Sequence, residues 1–98
     1  MCTLACIAVF TYRHKNIASL YGYFWDENCF YLIQEYGCHG DILKFIKDEE
    51  GFSEKKAAWY IRRIAEGIKY MHDNNVIHRD IKAENIVIGE GVRLQCLV

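Results

Sequence analysis

An acid, a cation and a carboxamide stand at Asp80, Lys82 and Asn85, inside the run Val76-Ile77-His78-Arg79-Asp80-Ile81-Lys82-Ala83-Glu84-Asn85-Ile86-Val87-Ile88. A carboxylate can accept a proton, an ammonium group can balance an anion, and a carboxamide oxygen suits a hard cation. The run enters on apolar residues, becomes densely polar, and leaves through branched residues that read as a strand. The competing reading of Asp80 and Asn85 is a hydrogen-bonded turn leading into that strand.

The pattern H-R-D-x-K-x-x-N at positions 78–85 resembles the catalytic loop of the protein kinases. That resemblance implies phosphoryl transfer from ATP to a hydroxyl, with Asp80 orienting the hydroxyl and accepting its proton. Lys82 would sit against the transferred phosphate, and a lysine there is similar to the serine/threonine-directed members. Asn85 would hold magnesium, which favours oxygen ligands. By the same resemblance His78 packs beneath the site instead of acting as a base. Arg79 resembles the arginine that pairs with a phosphorylated activation loop. Ala83 stands where the family commonly has proline, which frees one backbone dihedral and removes no catalytic group.

Several elements must position these groups. Ser53 is a candidate cap for a long helix, with Glu54 at its positive end. Apolar residues at Ala57, Ile61, Ile64, Ala65, Ile68 and Met71 keep a helical period through Tyr70 or His72. At ~1.5 Å per residue this helix is roughly 30 Å long, enough to be the pillar of a small lobe. Its charged residues, including Lys55, Lys56, Arg62, Arg63, Glu66 and Lys69, lie mostly off that stripe and read as a solvated face. Asn74 and Asn75 end it, and the polar loop follows at once. A shorter helix starts at Gly40-Asp41, with Asp41 as cap, Ile42, Leu43, Phe45 and Ile46 as its apolar stripe, and Gly51 as its stop.

Upstream, Ile17 to Trp25 and Cys29 to Tyr36 read as two strands joined by the polar turn Asp26-Glu27-Asn28, a hairpin. Its aromatic residues Tyr21, Tyr23, Phe24, Trp25, Phe30, Tyr31 and Tyr36 are expected to pack in a core, since no basic patch accompanies them to suggest nucleic acid. Glu35-Tyr36-Gly37 resembles the kinase hinge. The resemblance implies that adenine meets the Glu35 carbonyl and the Gly37 N–H and carbonyl, with Gln34 at the back of the pocket. It also takes Asp41 to the ATP ribose and counts Glu84 and Val87 among the nucleotide-binding residues.

Composition adds bounds. The chain has 98 residues, a formal net charge of −1, 52% hydrophobic residues and no proline, which allows one small domain and gives no electrostatic case for nucleic acid or an anionic membrane. Met1 to Phe10 is uncharged and too short to span a bilayer; it reads as a buried strand or helix turn that could pair with the hairpin. The five cysteines, Cys2, Cys6, Cys29, Cys38 and Cys96, form no CxxC pair and read as reduced thiols of a cytosolic or nuclear protein.

Tyr21-Gly22-Tyr23-Phe24-Trp25-Asp26, Tyr31-Leu32-Ile33-Gln34-Glu35-Tyr36 and Val76 to Lys82 together look like the aurora group of serine/threonine kinases. The expected fold class is α+β, a partial protein-kinase fold: a hairpin remnant of the N-lobe sheet followed by the helical start of the C-lobe. The expected organisation is an unmatched apolar segment over 1–11, a partial kinase domain over 12–91, and a divergent tail over 92–98. Within that domain, 12–36 is the hairpin, 37–40 the hinge and 41–91 the C-lobe. The resemblance implies ATP and Mg2+ as cofactors, a protein serine or threonine as substrate, a regulatory protein partner, and a spindle or chromosome setting in cytoplasm or nucleus. No nucleic-acid or membrane partner is expected.

The 98 residues contain no glycine-rich loop, anchoring lysine, helix glutamate or D-F-G aspartate, and no acid follows Glu90. Kinase catalysis is positioning plus electrostatics, so this chain alone is expected to be inactive. The alternative is a non-catalytic, kinase-derived binding or regulatory fragment.

Overall fold

The chain is seen in a computed structural model that describes residues 13–94; the expectations for Met1–Phe10, for Cys2, Cys6 and Cys96, and for the last four residues lie outside the described part. Asp26 explains the first turn. Its Oδ1 accepts the backbone N–H of Asn28 at 2.8 Å and of Cys29 at 2.7 Å, and its Oδ2 accepts the Tyr31 hydroxyl at 2.9 Å. These donors, Asn28 N–H foremost, hold the Asp26 carboxyl below its ordinary range. The same contact with Asp26 pushes the Tyr31 phenol up. The turn joins β1 (Leu20–Trp25) to β2 (Phe30–Gln34), antiparallel, with Trp25 opposite Phe30, Leu20 opposite Gln34 and a register shift between Leu20 and Gly22.

Two expectations for the hairpin are corrected. The strands are shorter than the apolar runs suggest, because Ile17 and Ala18 pass through the core before β1 begins. The aromatic residues are not core. Trp25 is 68% exposed and Tyr36 83%, and Tyr21, Tyr23, Phe24, Phe30 and Tyr31 are also exposed, on both faces of the two strands. They meet one another instead: Phe24 stacks on Tyr31 with ring centres 4.6 Å apart, and Tyr23 on Phe30 at 5.8 Å. Two strands have no second layer of their own to bury a face against.

Both helices begin at the caps that their sequences dictate, and the shorter one turns left-handed at Glu50, one residue before the expected stop at Gly51. Asp41 caps α1 (Ile42–Asp48) by accepting the Lys44 N–H, and Ser53 caps α2 (Glu54–Asp73) by accepting the Lys56 N–H. Each ends in a left-handed residue. Glu50, at φ 54°, closes α1 while Gly51 N–H reaches the Ile46 carbonyl at 2.8 Å. Asn75, at φ 63°, closes α2 while Val76 N–H reaches the Met71 carbonyl at 2.8 Å. Along α2, Ile64, Gly67 and Met71 are buried, whereas Ile61 and Ala65 are exposed. The buried stripe is therefore narrower than the apolar period suggests.

A short 3-10 turn, Ala83–Asn85, leads into β3 (Ile86–Ile88), which pairs antiparallel with β4 (Val92–Leu94). The core gathers Ile17 and Leu20 from the hairpin side, Ile42 from α1, Ile64 and Met71 from α2, and Val76, Ile86 and Val92 from the C-terminal part. This is an α+β arrangement, a small hairpin followed by helices, as expected for part of a kinase fold. Among the described residues no helix is long and apolar enough to cross a membrane, and Cys29 and Cys38 are free and exposed.

Candidate active site

The end of α2 delivers the polar loop. Val76 is pinned in the core beside Met71, so the chain leaves the helix in a fixed direction. His78 is buried, and its Nδ1 accepts the Asp80 backbone N–H at 3.1 Å, which gives it a supporting place beneath the loop. Arg79 between them has φ 72°, a left-handed conformation that costs a non-glycine residue on the order of 1 kcal/mol or more. It lets the chain turn back so that Asp80 and Asn85 face each other.

Asn85 is fully buried, and its Nδ2 donates twice to Asp80: to the backbone carbonyl at 2.7 Å and to carboxylate Oδ2 at 3.1 Å. Lys82 Nζ lies 3.6 Å from the same Oδ2. Asp80, Lys82 and Asn85 are thus brought together, with the Asp80 carboxylate oriented from two sides and half-exposed to solvent. Asn85 Oδ1 is buried and has no hydrogen-bond partner. A buried carboxamide oxygen without a donor is the kind of atom a hard cation completes, so this residue fits magnesium. Among the described residues no group of three or more His, Cys, Asp or Glu side chains is placed to hold a metal ion, so the protein oxygens here would be one share of a larger ligand set.

The hinge residues sit on β3. His39 N–H donates to the Ile88 carbonyl and Ile88 N–H to the Gly40 carbonyl, each at 2.8 Å, and Asp41 bridges to Val87. Gly37 lies so close to Val87 that a Cβ on it would stand 2.5 Å from the Val87 Cβ, so only glycine fits without movement. The Gly37 carbonyl already accepts the Gly40 N–H at 3.0 Å, which leaves its second lone pair for a ligand. Gly37, Asp41 and Val87 therefore form a second group, while the Glu35 side chain is engaged by Ser19 and Arg93. Gln34 ends β2 opposite Leu20, and Glu84 is exposed within the 3-10 turn, with no described hydrogen bond or ion pair to Asp80, Lys82 or Asn85.

One residue escaped the sequence reading. Arg93 on β4 donates from Nε to Glu35 Oε2 at 2.7 Å and from Nη1 to the Lys15 carbonyl. Glu35 Oε1 in turn accepts the Ser19 N–H at 3.3 Å. With the Asn16 Nδ2 bond to the Val92 carbonyl at 3.0 Å, these contacts hold the hairpin to the helical part. A single arginine among apolar residues near the end of a chain carries no spacing signal for a partner this distant in sequence.

A family profile for the protein kinase domain matches residues 6–95. The chain belongs to the protein kinase family. Within it, aurora kinases are among its relatives. The chain is 46% identical over 77 residues to an Aurora kinase of Eremothecium gossypii, covering 79% of this chain and 21% of that protein. It is 48% identical over 77 residues to the serine/threonine-protein kinase Aurora-1 of Arabidopsis thaliana, covering 79% of this chain and 26% of that protein. It is 49% identical over 77 residues to the Aurora/IPL1-related protein kinase 2 of Caenorhabditis elegans, covering 79% of this chain and 25% of that protein. This kinase chain thus spans about a fifth to a third of the length of the curated relatives it matches. Protein kinases as a family use ATP and Mg2+ and act on proteins.

Proposed function

We propose that these residues belong to an aurora-like serine/threonine kinase that transfers a phosphoryl group from ATP to a protein hydroxyl. The observation that carries the reading is the triple contact at Asp80: Asn85 holds its carbonyl and one carboxylate oxygen, and Lys82 lies beside that oxygen. In this reading the substrate hydroxyl meets the Asp80 carboxylate, which orients it and accepts its proton as the oxygen attacks. Lys82 faces the transferred phosphate and offsets its charge. Asn85 presents Oδ1 to magnesium, which when bound neutralises phosphate charge. The Glu35 carbonyl and Gly37 N–H serve the adenine edge, Val87 its face, and Asp41 the ribose; Gln34 and Glu84 line the nucleotide. A spindle- or chromosome-associated setting in cytoplasm or nucleus goes with the aurora likeness.

These 98 residues hold no glycine-rich loop, anchoring lysine or D-F-G aspartate, so the chain by itself is expected to transfer no measurable phosphate. The test is a chimaera in which residues 13–94 replace the matching part of the Arabidopsis Aurora-1 kinase domain. The expected result is phosphorylation of a serine/threonine substrate, with Asp80→Asn lowering kcat by roughly 10²–10⁴-fold. A folded, ATP-binding chimaera whose rate ignores Asp80→Asn would overturn the proposal.

A further inference from the structure

A groove of about 900 Å³ runs along the outer side of α2, between its first half, the Lys15–Asn16 segment and the β3–β4 turn. None of the residues that line it belongs to the catalytic loop or the hinge turn. Five cationic side chains line it against two carboxylates, although the whole chain carries a net charge of −1. Arg93 is paired with Glu35 at 2.7 Å, and the remaining pairing reduces that excess without cancelling it. Glu66 is shared by Lys15 at 3.7 Å and Arg62 at 3.6 Å, so one carboxylate serves two cations. Lys55 has no ionic partner among the described residues. Arg63 meets no described carboxylate either: its guanidinium lies 3.5 Å over the Trp59 ring and donates to the Trp59 carbonyl.

Trp59 gives the groove an apolar wall. It is 48% exposed, and Arg63 covers only one part of it. Residues 1–12 and 95–98 contain no Asp or Glu, so those segments bring no acidic side chain to the groove. We propose that this groove is a docking site for an acidic peptide segment of a partner protein, with carboxylates toward Lys55 and Arg62 and one apolar side chain against Trp59. Peptide is favoured over nucleic acid because Glu66 and Glu90 interrupt the basic lining. A continuous phosphate backbone would meet repulsion there, whereas a peptide can place its charges between them. The proposal does not depend on catalysis, because it concerns a surface separate from Asp80, Lys82 and Asn85.

The test measures binding of a fluorescent peptide with several Glu or Asp residues around one Leu to the 98-residue chain, by anisotropy. The same peptide with Gln and Asn in place of the acids, and a single-stranded RNA of equal charge, serve as comparisons. The acidic peptide is expected to bind at least about tenfold more tightly than either, and to weaken as salt rises. Lys55→Glu with Arg62→Glu changes two exposed side chains and should cost about tenfold or more in affinity, while Lys44→Glu with Lys47→Glu on α1 should change it by less than about twofold. Trp59 emission in a Trp25→Phe chain gives a second readout on the otherwise unaltered groove, and should shift as the peptide binds. Absence of peptide binding, equal binding of the RNA, equal loss in both charge-reversed chains, or an unmoved Trp59 signal at saturation would each overturn the proposal.

Discussion

The surroundings of Asn85 and those of Trp25 show two ways in which one short chain satisfies its residues. Asn85 is polar and fully buried, held by two hydrogen bonds to Asp80 and walled by Ile86 and the core behind it. Trp25 is large and apolar, yet 68% exposed on a hairpin whose shape comes from its turn and cross-strand stacking. The difference is that local hydrogen bonds can build a hairpin, but burial needs a second surface. The loop has that surface in α2 and β4. The hairpin reaches it only at one end, through Leu20 and the half-buried Leu32.

Truncation at the two ends of β1 is the strongest way to break that comparison. Leu20→Ala should destabilise the chain by roughly 2–5 kcal/mol, because it empties a fully buried site. Trp25→Ala should cost less than about 1 kcal/mol, since most of its surface is already in water. Urea melts followed by circular dichroism measure both, and equal losses would mean that the hairpin is as well supported as the loop. A smaller effect sharpens the contact between hinge and β3. Gly37→Ala should cost about 1–3 kcal/mol by overpacking against Val87, and the same change made beside Val87→Gly, which removes the Cβ that it would meet, should cost much less. Strict additivity in the same melts would show that the close approach is not the cause.

The smallest effect concerns the turn. A carboxyl held low in the folded state stabilises it above the unfolded pKa, and that contribution is lost as pH falls through the folded value. For Asp26, whose ordinary value is 3.8, the hairpin should therefore loosen only below that pH. NMR titration of the Asp26 carboxyl together with the Tyr31 and Phe30 signals reads this directly. Asp26→Asn should remove the pH dependence, and an Asp26 that titrates at or above its ordinary value would contradict the turn geometry.

What could be read without coordinates was whatever is written in local spacing. Asp41 and Ser53 cap the helices they precede, Asn75 closes α2, and Asp26 turns the hairpin, because each acts on backbone within a few residues of itself. The loop from His78 to Asn85 was legible for the same reason. Its contacts run between residues five or fewer apart. Burial was harder. Tyr21, Trp25 and Ile61 have core-like chemistry, but no spacing rule says whether a covering layer faces them. The approach of Gly37 to Val87 and the grip of Arg93 on Glu35 join distant positions, so neither leaves a periodic trace.

That grip has a consequence for the order in which the molecule is made. Arg93 contacts Glu35 across 58 residues and Lys15 across 78, so it touches the start and the exit of the hairpin from near the other end of the chain. A ribosome releases the hairpin first, and its turn can close at once from local bonds. Its clamp by Arg93 forms only once β4 has emerged. Until then the aromatic strands are folded in outline and held only by the packing of Ile17 and Leu20, and they await β4 for their polar clamp.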